Sequence, residues 1–429
     1  MLPSATDYPR EMDALRWAEH PAFYRPDYGR ALTRVMPTLF ELLGVPPNGG
    51  PSLAGVLPAA SPRSAQKVLL VCIDAFGFKE LAGSGRFKSL YPEYGTWITS
   101  VFPTITSCAL SSLYQALPPA RHGITGHVIW KDIPGAVVDM LRGHVIGAHA
   151  SLEDAGFNLN GWKREPGLLD DPPGNGLNGY QILDRHIVGS GLSSFIYGRT
   201  SLVGSHGNVE ALAKAGRILS DMERGWVGAY IHDLDTASHV MTGDSPESGL
   251  VVRHIEDALA HMAMTLPGDV ARETAVMVVA DHGQSNITQR IPLYGEPLEW
   301  LGAHTRAIGN SGRVMHVYLK APDDEARVLA WLTEFIGNRG RVFPFEQAKG
   351  LTGPPLDSNT QDPEHDRWVR QSLGDLVVIL EDGWNWEKRP PSPGSSSYES
   401  RLVSQHGALS WNEVFVPFLC APLTALLEA

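Results

Sequence analysis

A run of six apolar residues, 275–280, ends at Asp281 and His282, and Gly283 follows directly. Such a run predicts a β-strand that is buried on both faces, as parallel strands are in α/β proteins. Ligands of open α/β sheets bind beyond the carboxyl ends of the strands. We therefore expect a carboxylate and an imidazole at an edge of a sheet where chemistry can take place.

Two further strand-like runs end in acidic residues. Residues 67–73 are followed by Asp74. Residues 228–232 run into Asp233 and Asp235. A lone acid at such a position is commonly a solvated loop residue or a helix N-cap. Because parallel strands present their carboxyl ends at one edge, three acids in this context indicate a shared binding site.

The alternation of strands with helical stretches predicts an α/β fold, with a mostly parallel sheet and helices on both faces. After residue 291 the pattern changes, and it indicates a smaller α+β insert, or cap. We divide the chain into an N-terminal extension packed on the core (1–66), a catalytic core (67–291 and 401–429) and the insert (292–400). Within the insert, 389–397 is predicted to be a loop or flexible lid, because it is rich in Pro, Gly and Ser.

Composition limits the partners of the chain. A hydrophobic content of 43% allows a sizeable core, and a formal charge of −12 argues against nucleic acid polymers and anionic membranes. A small anionic substrate remains compatible if metal ions supply local positive charge. The N-terminus lacks the features of a secretory signal, and no run reaches the length of a membrane span. With three cysteines near apolar runs, we expect a soluble, cytoplasmic protein without disulfides.

Carboxylates and imidazoles recur at short spacings. Asp235 and His239 are four residues apart, so on a helix they share one face. Asp233 is a rival to Asp235, and His406 follows much later in the chain. Imidazole and carboxylate together suit zinc, with manganese or iron as competitors.

Three hydroxyl residues, Thr104, Thr106 and Ser107, precede a helix predicted over 108–115. A hydroxyl at a helix N-terminus is commonly only an N-cap. It can also act as a nucleophile, because the helix end stabilises an anion and metal coordination activates the hydroxyl. The residues by themselves leave the choice among the three open.

Taken in order, these segments resemble the alkaline phosphatase superfamily, and more closely its type I phosphodiesterase/nucleotide pyrophosphatase branch. The resemblance rests on six short segments, which are 73–74 (ID), 102–106 (FPTIT), 118–124 (PPARHGI), 235–239 (DTASH), 280–283 (ADHG) and 406–409 (HGAL). It implies an alkaline-phosphatase-like core with two divalent metal ions, usually zinc. The implied ligands are Asp235, His239 and His406 for one ion and Asp74, Thr106, Asp281 and His282 for the other.

The resemblance also implies a reaction. Thr106 falls at the family's nucleophile position, and Asp235 rather than Asp233 has the family spacing to His239. The expected activity is hydrolysis of phosphodiester or pyrophosphate bonds in a small anionic substrate, through a covalent phospho-threonine. Alternatives on the same site are a phosphomonoesterase, a phosphonate hydrolase or a phosphomutase. An alternative of another class is a catalytically silent protein that binds metal or ligand on the same scaffold.

The chain departs from the family pattern at four positions. Ala109 and His127 stand where the family usually has Asn, and Ala75 and Ser238 stand where it has Gly. The first two changes leave the leaving group and the preference for mono- or diesters open. His127 is either a substrate contact or a surface residue.

Two lysine or arginine residues and one tryptophan-containing segment also require an interpretation. Lys131 and Arg142 are expected to be solvated surface residues rather than substrate contacts. The segment 384–386, which contains two tryptophans, either lines a pocket or packs in the core.

Overall fold

The computed structural model of the protein describes residues 10–45, 50–172, 177–189, 191–355, 362–389 and 401–429. The strands are β1 Lys67–Ile73, β2 Gly95–Thr99, β3 Val128–Lys131, β4 Ala136–Asp139, β5 His144–Val145, β6 Asn178–Asp184, β7 Ser201–Ser205, β8 Gly225–Ile231, β9 Thr274–Val279, β10 Ser285–Asn286, β11 Gln289–Pro292, β12 Thr305–Ser311, β13 Val314–Leu319, β14 Gly340–Pro344, β15 Leu376–Leu380, β16 Trp384–Glu387, β17 Ser404–Gln405 and β18 Phe415–Pro422.

The α-helices are α1 Arg10–Asp13, α2 Val35–Leu42, α3 Phe78–Gly83, α4 Arg86–Tyr94, α5 Thr106–Gln115, α6 Pro119–His122, α7 Leu192–Ile196, α8 Asn208–Asp221, α9 Asp233–Met241, α10 Pro246–Thr265, α11 Gly268–Glu273, α12 Glu296–His304, α13 Glu325–Ile336, α14 Phe345–Ala348, α15 Pro363–Leu373 and α16 Trp411–Val414. Short 3-10 turns lie at Leu32–Arg34, Leu159–Trp162, Pro322–Asp324, Gly337–Arg339, Lys349–Thr352 and Leu423–Leu427.

In the described part of the chain, seven strands form the larger sheet in the order β2-β18-β9-β1-β8-β6-β7. The five strands from β9 to β7 are parallel, whereas β18 runs antiparallel to β9 and to β2. Strands β1, β8 and β9 are buried at every residue, as the apolar runs predict. The predicted α/β fold, with a mostly parallel sheet flanked by helices, is confirmed.

The three predicted acid-terminated strands lie side by side at the centre of this sheet. β1 pairs in parallel with β8 on one side and with β9 on the other. The carboxyl ends of the three strands therefore meet at one edge, and the residues that follow them are brought close together. This juxtaposition positions the candidate site.

A second sheet has the order β14-β15-β13-β12-β3-β4-β5, and the pairs between its strands are antiparallel. The insert supplies β12 to β15 and a core of its own. Strands β3 to β5 come from 128–145, which our division had assigned to the catalytic core. Strands β12 and β3 join the two parts of this sheet by pairing Asn310 with Val128. Because these residues are far apart in the sequence, no local pattern predicts the pairing. The domain boundaries stay a prediction, and 390–397 of the predicted lid lies outside the described residues.

Cys72, Cys108 and Cys420 are buried and carry free thiols. Burial raises the pKa of each thiol, so these side chains stay protonated and act as small apolar groups. Within the described ranges, no helix is both long enough and apolar enough to cross a bilayer.

Glu80 in α3 carries a buried carboxyl group that should make stability depend on pH. Burial raises its pKa from 4.5 to about 7. The folded state thus binds this proton more tightly than the unfolded state, and the stabilisation present below about pH 4.5 is lost as the pH rises through 7. We expect the free energy of unfolding of Glu80→Gln, relative to that of the unmodified protein, to rise by about 2.5 kcal/mol from pH 5 to pH 8.

Urea denaturation at the two pH values measures this difference. Glu334→Gln on the exposed face of α13 is the matched control, because the same chemical change is made in contact with water. An equal effect of pH on both variants would contradict the prediction.

Candidate metal centre

Asp74, Asp281 and His282 form the first group of candidate ligands. Asp74 directly follows β1, and the other two residues lie just beyond the end of the neighbouring strand β9. His282 Nε2 is 3.5 Å from Asp74 Oδ1 and 3.3 Å from Asp281 Oδ2. All three side chains are buried, and one donor atom from each lies within 4.8 Å of the others.

Asp235, His239 and His406 form the second group. The first two lie one turn apart on α9, which follows β8, so that both point to the same side of the helix. Asp235 Oδ1 is 3.2 Å from His239 Nε2 and 3.6 Å from His406 Nε2. The rival residue Asp233 instead accepts a hydrogen bond from the Asn208 amide.

The two groups are adjacent. The rings of His282 and His406, one from each group, are stacked with their centroids 3.7 Å apart. Six predicted ligands from four distant parts of the chain are thus assembled into one buried centre.

The hydrogen bonds of the three histidines orient their rings. In each ring, Nδ1 faces a backbone carbonyl oxygen, which can only accept, so Nδ1 carries the proton. These contacts are His282 to Gly283 (3.2 Å), His239 to Ser404 (2.9 Å) and His406 to Thr104 (3.0 Å). The lone pair of each Nε2 is therefore directed at the carboxylates, as a metal ligand requires.

The first group also contains two carboxylate oxygens that a cation would satisfy. Asp74 Oδ1 and Asp281 Oδ2 are buried, and neither has a hydrogen-bond partner among the described residues. Their companion oxygens accept hydrogen bonds from the hydroxyl of Tyr230 and from the backbone N–H of Ala75. Burial and then the charge of Asp281 raise the pKa of Asp74. Because bare buried carboxylates are costly, the donor set fits a divalent cation such as zinc, manganese or iron.

Thr106 is the candidate hydroxyl that faces this group. It is the first residue of α5, and its Oγ1 lies 3.2 Å from His282 Nε2. The other two hydroxyls have different partners. Thr104 Oγ1 donates to the carbonyl of Ala408 at 2.8 Å, and Ser107 Oγ donates to the carbonyl of Gly126 at 3.1 Å.

The departures from the family pattern have local consequences. Ala75 has a φ of +63°, a conformation that favours glycine, and its N–H donates to Asp281 Oδ1. Ser238 lies buried on α9, and its carbonyl accepts a hydrogen bond from Ser404 Oγ. Ala109 is buried within α5 and offers no polar side chain to a substrate.

His127 lies beside a group of charged residues. Its N–H donates to Ser311 Oγ at 2.9 Å, and its Nε2 is 3.8 Å from Asp139 Oδ1. Its side chain is 28% exposed. Burial lowers the pKa of His127, Asp139 raises it, and the charges of Arg142 and Lys388 lower it further.

The burial of the side chains tests the remaining expectations, those for Lys131, Arg142 and the two tryptophans. Lys131 is buried, and its ammonium donates to the carbonyl of Gly123 at 2.8 Å, so the expected surface position is wrong. The side chain of Arg142 is 77% exposed, in agreement with the expectation. Trp384 and Trp386 pack on the core of the smaller sheet, which favours packing over a pocket.

Three polar residues that support the ligands were not identified from the sequence. Tyr230 lies inside an apolar strand, where nothing distinguishes it from a packing residue. Gln284 directly follows the Asp-His-Gly segment, and Ser404 precedes His406 by two residues. For Gln284 and Ser404, the signal in the sequence was their position beside the motifs at 281–283 and 406–409.

Comparison with known proteins supports the same assignment. A family model described as type I phosphodiesterase/nucleotide pyrophosphatase matches residues 209–408. The predicted resemblance is confirmed. Over these residues the chain is similar to the type I phosphodiesterase/nucleotide pyrophosphatase family. Among curated proteins, no match to the chain is found.

Solved structures with low sequence identity share the fold. Human ectonucleotide pyrophosphatase/phosphodiesterase 5 has a TM-score of 0.60 and 18% identity, over 83% of this chain and 88% of that one. An inactive variant of the murine protein, in complex with AMP, has a TM-score of 0.59 and 18% identity over the same shares. Phosphonoacetate hydrolase from Sinorhizobium meliloti 1021, in complex with phosphonoformate, has a TM-score of 0.57 and 16% identity, over 87% of this chain and 98% of that one. The family match supports a hydrolase that acts on phosphoesters, and the solved structures show the shared fold.

Proposed function

We propose that the protein hydrolyses phosphodiester or pyrophosphate bonds of small anionic substrates at a centre of two divalent metal ions. The observation that carries this proposal is the pair of adjacent ligand groups with the hydroxyl of Thr106 beside one of them. Asp235, His239 and His406 would hold one ion. Asp74, Asp281 and His282 would hold the other, with Thr106 as a further ligand.

When bound, two such ions lower the pKa of a coordinated hydroxyl or water and neutralise the charge of a phosphoryl group. We infer zinc, with manganese or iron as alternatives, because the donors are imidazoles and carboxylates. Their affinity should depend on the neutral histidines, and burial lowers the pKa of both His282 and His406.

Thr106 would act as the nucleophile. Its Oγ attacks phosphorus, and the bond from phosphorus to the leaving-group oxygen breaks as the new bond forms. The product of this step is a phospho-threonine that keeps the second substituent of the substrate on phosphorus, and the leaving group takes up the proton of the hydroxyl. Water then cleaves the bond from phosphorus to Thr106 Oγ, which releases a phosphate monoester and restores the hydroxyl. In the first turn of α5, the N–H groups of Cys108 and Ala109 donate to the carbonyl of Ile105, and the backbone N–H of Ser107 would stabilise negative charge on the phosphoryl oxygens.

The murine neighbour supports the choice of threonine. In that structure the murine protein is an inactive threonine-to-alanine variant in complex with AMP. Loss of a threonine hydroxyl therefore accompanies loss of activity in that protein. Thr106 is the hydroxyl that fits this role here, because Thr104 and Ser107 donate to backbone carbonyls.

A phosphonate hydrolase is the second candidate, and His127 is the observation that favours it. The family usually has Asn at this position, whereas here burial lowers the pKa of an imidazole, the charge of Asp139 raises it, and the charges of Arg142 and Lys388 lower it. Positive charge beside the centre would suit a leaving group that carries its own anion. The similarity in fold to phosphonoacetate hydrolase is consistent with this alternative.

A substrate panel with metal removal tests the proposal. We expect chelation to lower turnover of bis-p-nitrophenyl phosphate by about 10³-fold or more, and added zinc or manganese to restore it. Parallel assays with p-nitrophenyl phosphate and phosphonoacetate distinguish the diesterase from its two alternatives. A chain that binds no metal and cleaves none of the three substrates would instead be the silent binding protein. A cytoplasmic location stays a prediction.

A further inference from the structure

Gln284 and Ser404 lie against the ligand group formed by Asp235, His239 and His406. Gln284 is 2% exposed and Ser404 is fully buried. They come from distant parts of the chain, and the antiparallel pairing of β10 with β17 brings them together. In that pairing, Ser285 is opposite Gln405 and Asn286 is opposite Ser404.

The side-chain amide of Gln284 has its orientation set at both ends. Its Nε2 donates to Asp235 Oδ1 at 2.5 Å, and a carboxylate can only accept. Its Oε1 is in hydrogen-bond contact with the hydroxyl of Ser404. The amide nitrogen therefore faces the ligand, and the amide oxygen faces the serine.

Ser404 makes a second connection to the same ligand group. Its backbone carbonyl accepts from His239 Nδ1 at 2.9 Å. The single proton of its hydroxyl is shared between the amide oxygen of Gln284 and the carbonyl of Ser238, which lies 2.6 Å away. The residue before Ser404 also donates its backbone N–H to the carbonyl of His239, at 2.7 Å. One short strand thus orients the imidazole directly and the carboxylate of Asp235 through Gln284.

We propose that Gln284 and Ser404 form a positioning pair that holds Asp235 and His239 ready for a divalent cation. Asp235 is the ligand with most need of such support, since its side chain is 19% exposed and the other ligand side chains are 9% exposed or less. The proposal rests on the two-metal centre proposed above. Neither residue makes a described hydrogen bond to the first ligand group, so the pair should act on one ion only.

Zinc titration of the metal-free, full-length protein tests this proposal. Gln284→Glu keeps the shape of the side chain but replaces the donor with a carboxylate that repels Asp235. Loss of a hydrogen-bond partner of a metal ligand commonly weakens binding by about 10- to 100-fold. We therefore expect one of two bound zinc ions to be weakened by about that factor and the other to be unchanged. Excess zinc should restore hydrolysis.

Two further variants complete the experiment. Gln289→Glu, on the exposed side of β11, introduces the same charge nearby and should bind both ions as the unmodified protein does. Ser404→Ala should weaken the same ion as Gln284→Glu, because it frees the amide of Gln284. Retention of the second ion shows that each variant is folded.

Three outcomes would overturn the proposal. The first is unchanged affinity of Gln284→Glu for both zinc ions, and the second is equal loss of both ions, which indicates a general structural role. If the unmodified protein binds no zinc, the two-metal function itself fails together with this inference. Normal metal binding and hydrolysis in the unmodified protein, with no selective effect in the variants, rejects the positioning pair alone.

Discussion

Replacement of Thr106 by alanine should lower kcat for phosphodiester hydrolysis by about 10³- to 10⁶-fold, the range expected when a covalent nucleophile is removed. The Oγ1 atom of this residue lies 3.2 Å from His282 Nε2, beside the group that contains Asp74 and Asp281. We expect zinc binding to persist, because those three side chains remain. Steady-state kinetics with bis-p-nitrophenyl phosphate measures the effect.

Two controls separate a chemical from a structural effect. Thr333→Ala removes an exposed threonine hydroxyl on α13 and should leave kcat unchanged. Acid quenching of the unmodified enzyme during turnover of bis-p-nitrophenyl phosphate, followed by mass spectrometry, should find a p-nitrophenyl phosphoryl group on the peptide that contains Thr106. Full activity of Thr106→Ala, or the same group on Thr104 or Ser107, would refute the assignment.

Loss of the Arg313 side chain should lower the free energy of unfolding by about 3–5 kcal/mol, because it leaves a buried carboxylate unpaired. Arg313 Nη1 lies 2.5 Å from Glu413 Oε2, and both side chains are almost completely buried. Arg313 also donates to the carbonyl of Trp384 at 3.0 Å. The pair joins the smaller sheet to the segment around α16.

Hydrogen bonds connect Glu413 to the segment that follows the candidate ligand His406. Its carboxylate accepts hydrogen bonds from the N–H groups of Ala408 and Ser410, both at 3.1 Å. Arg313 in turn donates its backbone N–H to the carbonyl of His406 at 3.0 Å. We therefore expect Arg313→Met to weaken zinc binding as well as to destabilise the fold.

Urea denaturation of Arg313→Met measures the loss of stability. Lys349→Met, which removes a partly exposed partner of Asp366 and Glu346, is the control and should cost at most about 1 kcal/mol. The double variant Arg313→Met/Glu413→Leu should lose less than the sum of the single variants, since no charge is then left unpaired. Equal losses for Arg313→Met and Lys349→Met would contradict this prediction.

The sequence was most informative where chemistry follows a regular element. Asp74 and Asp281 could be predicted because each ends an apolar strand, and Asp235 and His239 because their spacing matches a helical turn. Thr106 required the family resemblance, since three neighbouring hydroxyls have the same local signal. Only their different hydrogen-bond partners in the folded chain distinguish them.

Contacts between distant segments could not be predicted in the same way. The pairing of Asn310 with Val128 has no local signature, so the smaller sheet was assigned to the insert alone. Lys131 was expected at the surface because lysine is rarely buried. Its burial depends on a backbone carbonyl acceptor, that of Gly123, which its local sequence does not reveal.

The pairing of the 128–145 strands with the smaller sheet places His127 and the candidate ligands beside different sheets. The six candidate ligands follow the strands of the larger sheet or lie in the segment after residue 401, whereas His127 is held by Ser311 at the end of β12. Mutations in the smaller sheet could therefore change which leaving group is accepted while the bond-breaking residues stay intact. Related enzymes would then acquire new substrates by substitutions in the smaller sheet, while the metal ligands beside the larger sheet stay the same and keep the reaction unchanged.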